Sequence, residues 1–187
     1  MSDAVEHADP VDREAIVADL TLCATDLHHL LAAATRDQLR ARSDGTAWTN
    51  EQLLFHMVFG FLVVRRLLRL VRLVGTLPPW VGRAFAGLLD AGRVPFHWVN
   101  YAGSCGGATV FDHHRMGRLS DRTIAALVRN LRAEPEERLR RGMPFPTSWD
   151  PYFRPHMSLA EVYAYPVRHY AHHRAQLTLP AAGRPPG

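Results

Sequence analysis

Apolar positions recur at helical spacing in four long blocks of the chain. From about Val11 to Arg42, the residues Ile16, Leu20, Cys23, Leu27, Leu30 and Leu31 form one stripe, which Ser43, Asp44 and Gly45 end. The second block opens at Thr49-Asn-Glu-Gln52, a capping-box pattern, with Trp48 placed to staple back onto the first turn. It runs to about Val74 and stops at Gly75, with Pro78 and Pro79 beyond. Trp80 to Leu89 reads as a short amphipathic helix, and the signal fades around Gly103, Gly106 and Gly107. A third long block covers about Asp121 to Arg141, with Ile124, Leu127, Val128 and Leu131 on one side and Pro135 as a candidate break. A loop rich in proline and aromatics, Met143 to Pro155, leads to the last block. That block opens at a second capping box, Ser158 to Glu161, and reaches about Leu179; Pro166 lacks an N–H and must start a new turn or kink it. No useful strand alternation and no repeat is present. The pattern predicts an all-α four-helix bundle with extra short helices and an ordered loop before the last helix. It places one domain over residues 1–180 and a disordered tail at 181–187.

Composition adds limits. A chain of 187 residues with 47% hydrophobic content can bury a substantial core without disulfide staples. Cys23 and Cys105 lie far apart in no metal or redox spacing, which predicts free thiols in a reducing compartment, hence the cytoplasm. The polar, acidic first residues lack the pattern of a secretory signal. The most apolar stretch, Leu53 to Val64, is shorter than the roughly 20 residues needed to cross a bilayer. It runs into Arg65, Arg66, Arg69 and Arg72 beside several leucines, a pattern shared by membrane-surface helices and by bundle helices with a wet face. The wet face is the plainer reading, so no membrane partner is expected. All 22 basic residues are arginines, and the net charge is +4. The lack of lysine removes a Schiff-base lysine, a Walker-type phosphate loop and a lysine general base. The arginines are spread over several segments with no aromatic-basic motif, so no nucleic-acid partner is expected.

Eleven histidines change the picture more than charge does. At about 100° per residue, Arg65, Arg69, Arg72 and Glu51 cluster on one side of the second helix and His56 falls opposite, pointing inward. On the last helix His169 and His173 share a face with Val162, Tyr165 and Gln176, while His172 sits at its edge. An HxxxH pair and one further histidine can thus converge inside the bundle. Three neutral nitrogen ligands suit zinc, nickel, iron(II) or cobalt, and a vacant fourth position suits catalysis. Inward histidines also occur as ordinary hydrogen-bonded core residues, and the residues alone leave both readings open.

Other polar groups carry weaker signals. Asp112-His113-His114 follows a glycine-rich stretch and reads as an exposed polar turn rather than a second cluster. His28 and His29 are adjacent, so they point in different directions. Cys105, within Gly103-Ser-Cys-Gly-Gly, is a conceivable nucleophile with no identifiable base. Trp149, Asp150 and Tyr152 either line a pocket mouth or pack their loop onto the bundle.

Trp48-Thr-Asn-Glu-Gln-Leu-Leu-Phe-His56 and His169-Tyr-Ala-His-His-Arg-Ala-Gln176 resemble the DinB/YfiT-like superfamily of metalloenzymes. The segment from Gly142 to Phe153, with Met157 to Tyr163 and Tyr165-Pro166, resembles an actinobacterial subgroup of it. The resemblance implies a four-helix bundle, frequently a homodimer, holding one divalent metal on His56, His169 and His173, zinc or nickel foremost. Gln176 matches the glutamine that follows the pair. His172 is an extra residue that could compete as a ligand or support one; Gln176 and Tyr165 could support the bound water or thiol. Members of the family include S-transferases that use mycothiol, bacillithiol or glutathione, and an isomerase. The implied function is a metal-dependent enzyme, a thiol S-transferase or isomerase, acting on a small electrophilic molecule. A non-catalytic metal- or ligand-sequestering protein is the alternative, and a metal-free interaction module a third.

Overall fold

The structure is a computed structural model and describes residues 10–179. The polar first residues and the tail at 181–187 lie outside that range. Four long helices form the bundle: α1 (Arg13–Ala33), α3 (Asn50–Val74), α6 (His113–Ala133) and α8 (Leu159–Arg174). Each packs on two others, α1 and α3 both lying against α6 and α8. Four further helices fill the connections: α2 (Arg36–Arg40), α4 (Pro79–Ala91), α5 (Arg93–Val110) and α7 (Glu136–Arg140). The chain also has a short antiparallel pair, β1 (Gly142–Pro144) with β2 (His156–Ser158), in which Met143 faces Met157. The expected four-helix bundle is therefore present, with a small sheet that alternation over three residues cannot announce.

Local chemistry explains most boundaries. The capping boxes at Thr49 and Ser158 both form, each side-chain oxygen accepting from the third helical N–H. A third capping box, Thr35 with Gln38, splits the first block into α1 and α2. The single helix expected to Arg42 is thus corrected: Ala34 leaves the helical region and Thr35 restarts it. The third block begins eight residues earlier than Asp121, because Asp112 caps it by accepting from the Arg115 N–H. The presumed polar turn at Asp112-His113-His114 is therefore a helix start. Pro135 breaks the block as expected and leads into α7. The last helix ends at Arg174 rather than Leu179 and carries Pro166 inside it.

The core is the stripe arithmetic made solid. Leu20, Leu27, Leu53, Leu54, Leu68, Leu127 and Leu131 are fully buried. The arginine face of α3 needs one correction. Arg69 is exposed, but Arg72 reaches Glu134, a buried carboxylate also held by Arg138, and donates to the Tyr163 hydroxyl at 2.7 Å. Among the described residues α1 is the one helix long and apolar enough to cross a membrane. Here Asp26, on α1, accepts from the Tyr170 hydroxyl and from Arg174, which fixes α1 against α8.

The segment after α8 folds back over the start of α3. Asn50, fully buried, donates to the Gln38 carbonyl at 2.8 Å and to the Thr178 hydroxyl at 2.8 Å, and accepts from the Thr178 N–H at 3.1 Å. Gly45, at φ +66°, turns the adjoining loop so that the Asp44 N–H donates to the Gln176 carbonyl. Asn50→Ala removes three hydrogen bonds made by a buried amide and should cost about 2–3 kcal/mol in chemical denaturation. An unchanged midpoint would mean that water replaces the amide at no cost.

Candidate metal centre

The Thr49 capping box fixes the register of α3 and so delivers His56 to the bundle interior. On α8, four-residue spacing puts His169 and His173 on the facing side. One nitrogen from each of the three rings lies within 4.8 Å of the others. Ring centroids are 5.1 Å apart for His56 and His169, and 4.6 Å for each pair that includes His173. His56 and His169 are buried and His173 is half-buried.

The outer nitrogens have partners that fix the tautomers. The Ser104 hydroxyl donates to the Asn100 carbonyl at 2.8 Å, so its oxygen accepts from His56 Nδ1 at 3.2 Å. His173 Nδ1 donates to Gln176 Oε1 at 2.7 Å. With a proton on each Nδ1, the neutral rings keep bare lone pairs on Nε2, and these two atoms face each other at 3.1 Å. Two lone pairs this close in a dry site repel unless a cation lies between them. Two imidazoles on one tetrahedral ion stand about 3.3 Å apart, nitrogen to nitrogen. The donor set therefore fits a divalent ion.

Electrostatics keep the rings neutral. Burial, then His173, pushes the His56 pKa down to about 3. Burial, followed by the neighbouring histidines, holds His169 well below the ordinary range. Burial also lowers His173, against the opposing pull of Gln176. Neutral imidazole is the form that binds metal.

Gly60, one turn along α3 from His56, makes room for the cluster. A Cβ there would lie 2.9 Å from His169 Nδ1 and 3.0 Å from its Cε1. Gly60→Ala should therefore displace the His169 ring and weaken metal binding, measurable by titration against a chromophoric chelator. Trp48 stacks on His56 with centroids 4.5 Å apart, so its ring braces the ligand as well as the helix start.

A cavity of about 230 Å³ opens beside His56 and His169. Its wall is largely aromatic: Phe59, Phe96, Phe145, Trp149, Phe153 and Tyr165. Trp149 stacks on Phe96 at 4.2 Å and donates its indole N–H to the Leu89 carbonyl at 3.0 Å, which joins the pre-helix loop to α4 and α5. Arg66, His97, Asn100 and Asp150 supply the polar points.

The sequence candidates divide accordingly. Gln176 reaches the cluster through His173. Tyr165 lines the cavity and donates to Asp150 Oδ2 at 2.8 Å; burial and the Asp150 charge drive its pKa far up, so it remains a phenol. Trp149 and Asp150 line the cavity, whereas Tyr152 does not; its hydroxyl lies 3.2 Å from His172 Nδ1. His172 is exposed, outside the group of three, which corrects its candidacy as a competing ligand. His113 lies 3.9 Å from Glu51, and His28 pairs with Asp121 at 2.8 Å; both pairs are outside that group. Cys105 is half-buried, and Ser104, one residue earlier, takes the place against His56. Ser104, Asn100, Phe96 and Gly60 escaped the sequence reading because the glycines hid α5, and nothing local marks Gly60.

Removing an outer hydrogen-bond partner typically weakens a metal site about 10–100-fold. Gln176→Ala and Ser104→Ala should each do so with little loss of fold, as read by metal titration. Unchanged affinity in both would contradict the tautomer assignment.

The family model of the DinB superfamily matches residues 19–177. None of the curated proteins matches the chain. Among solved structures, YfiT from Bacillus subtilis is similar, with a TM-score of 0.54 and 18% sequence identity over 95% of this chain and 90% of that one. That protein is described as a probable metal-dependent hydrolase with an unusual four-helix bundle topology. At this identity the likeness speaks for the fold.

Proposed function

We propose, for a chain that belongs to the DinB superfamily, that it is a divalent-metal-dependent enzyme acting on a small, largely apolar electrophile. The observation that carries this is the facing pair of bare Nε2 atoms, His56 and His173, with His169 beside them at the floor of an aromatic cavity. His56, His169 and His173 would hold the ion. When bound, it would supply Lewis acidity and bring a water or thiol toward ionisation near neutral pH.

The chain's own residues do the rest. Ser104 and Gln176 hold two of the imidazoles in the metal-binding tautomer. The aromatic wall binds the apolar body of the substrate and excludes water, which strengthens electrostatic interactions inside. Arg66 is placed to take a carboxylate or carbonyl oxygen at the cavity's edge. Tyr165, locked on Asp150, shapes the wall and moves no proton.

The thiol S-transferase or isomerase reading fits a cavity that admits a compact electrophile. The nucleophile, water or a mycothiol-type thiol, is separated by experiment. Zinc- or nickel-loaded protein is assayed on aryl esters without thiol, and on aryl electrophiles with mycothiol or glutathione. Metal-dependent turnover in either arm, lost in His173→Ala, is the expected result. Tight binding of the aryl compounds without turnover would favour a sequestering protein instead. We place the protein in the cytoplasm, a setting that suits its two free cysteines.

A further inference from the structure

The described residues leave eleven large apolar side chains exposed, and ten of them fall between Leu70 and Val110. Seven of these lie on α4 and α5, most of them in outward stripes. Trp80 is 65% exposed and Leu88 69%; Val94 is 72% exposed and Trp98 74%. At helical spacing Trp80, Ala84, Leu88 and Ala91 share one face of α4, and Val94, Trp98 and Tyr101 one face of α5. The opposite faces are occupied. Gly82 is buried against Pro144, Ser104 and Ala108 are buried toward α3, and Leu89, Phe96 and Asn100 line the cavity. The hairpin therefore has an inner face used by the bundle and an outer apolar face that none of the described residues covers.

Charge says what covers it. From Gln52 to Phe111 the chain carries six arginines and a single acid, Asp90, whose carboxylate is engaged by Ser148. Arg72 is spent on Glu134. Arg66, Arg69, Arg83 and Arg93 are exposed, and none makes a hydrogen bond or ion pair within the described residues. Arg66 and Leu70 border the same cavity as Leu89, Phe96 and His97, so the exposed end of α3 adjoins the hairpin. A second copy of this chain would bring like charge against like across the interface. An anionic lipid surface meets both features: apolar side chains enter the headgroup boundary and arginines pair with phosphates.

We infer that the outer face of α4 and α5, with the exposed end of α3, docks on an anionic membrane surface. The docking is peripheral, and it replaces the wholly wet reading of the arginine stripe. It sets the cavity's edge beside a source of apolar molecules. It does not depend on the metal centre.

The test uses the full chain and vesicles of phosphatidylcholine with one quarter phosphatidylglycerol. Co-sedimentation should show binding that salt weakens, with a blue shift of tryptophan emission. Vesicles of phosphatidylcholine alone should bind far less. The pair Trp80→Ser and Trp98→Ser should lower partitioning at least about tenfold, and the pair Arg83→Gln and Arg93→Gln by several-fold. All four side chains are exposed, so both variants should keep the wild-type helical content. The inference is overturned if the wild type ignores anionic vesicles at low salt, or if both variants partition like it. It is equally overturned if the wild type is a dimer that the tryptophan pair splits, since a second copy would then own the face.

Discussion

Replacing any one of His56, His169 and His173 with alanine should lower affinity for zinc or nickel by more than about 1000-fold. The scale follows from what each ring contributes. Loss of an outer partner such as Gln176 typically costs about 10–100-fold, because the ligand stays but turns less readily to the ion. Loss of the ligand removes a metal–nitrogen bond and leaves two imidazoles, too few for a tight site. His173→Ala is the cleanest variant. His173 is half-buried near the end of α8, so its removal empties little core. His56→Ala also exposes the face of Trp48, and part of its effect would be loosened packing. Competition titration reads the affinity directly. An equal metal load on wild type and His173→Ala would mean that the ion, if bound, is held elsewhere.

The second large effect is on stability, and it has a sign in both pH and metal. In the metal-free protein the His56 pKa lies near 3, against 6.5 for an ordinary histidine. Between those values the unfolded chain binds a proton that the folded one refuses. The folded state is then favoured above pH 6.5 and loses ground as pH falls toward 3. His56 alone should remove about 2 kcal/mol between pH 6.5 and pH 5. His169 and His173 are lowered too and add in the same direction. This window stays above the ordinary carboxylate range, so acidic groups contribute little to it. Metal acts oppositely. An ion at about 1000 times its dissociation constant adds about 4 kcal/mol if it binds only the folded state. For a chain of this size that is a rise in melting temperature of about 8–16 °C. Urea denaturation of chelator-treated protein at pH 6.5 and 5, and calorimetry with and without zinc, check the two halves. A flat pH response together with no metal shift would contradict the proposed chemistry of the cluster.

The bundle was legible because its helices declare themselves twice, by apolar stripe and by cap. Thr49 with Gln52 and Ser158 with Glu161 mark helix starts that the structure keeps. The inward placement of His56, His169 and His173 followed from spacing, since a helix converts residue number into direction. Harder to read was anything set by tertiary contact. Thr35 caps α2 with a pattern that the continuous stripe from Ile16 to Leu31 overshadowed. The glycines at 103, 106 and 107 argue against a helix by propensity, yet α5 forms. Gly107 is required there because a Cβ would meet the Phe55 ring. With α5 unseen, Ser104 could not be placed against His56, nor Phe96 in the cavity wall. Arg72 looked wet because helical arithmetic knows nothing of Glu134 on a distant segment.

The most direct measurement is anomalous X-ray scattering from crystals grown with zinc or nickel. The account predicts one strong peak within about 2.1 Å of a nitrogen from each of His56, His169 and His173. A clean map at that point, with the imidazoles of His56 and His173 still facing each other unbridged, would contradict it.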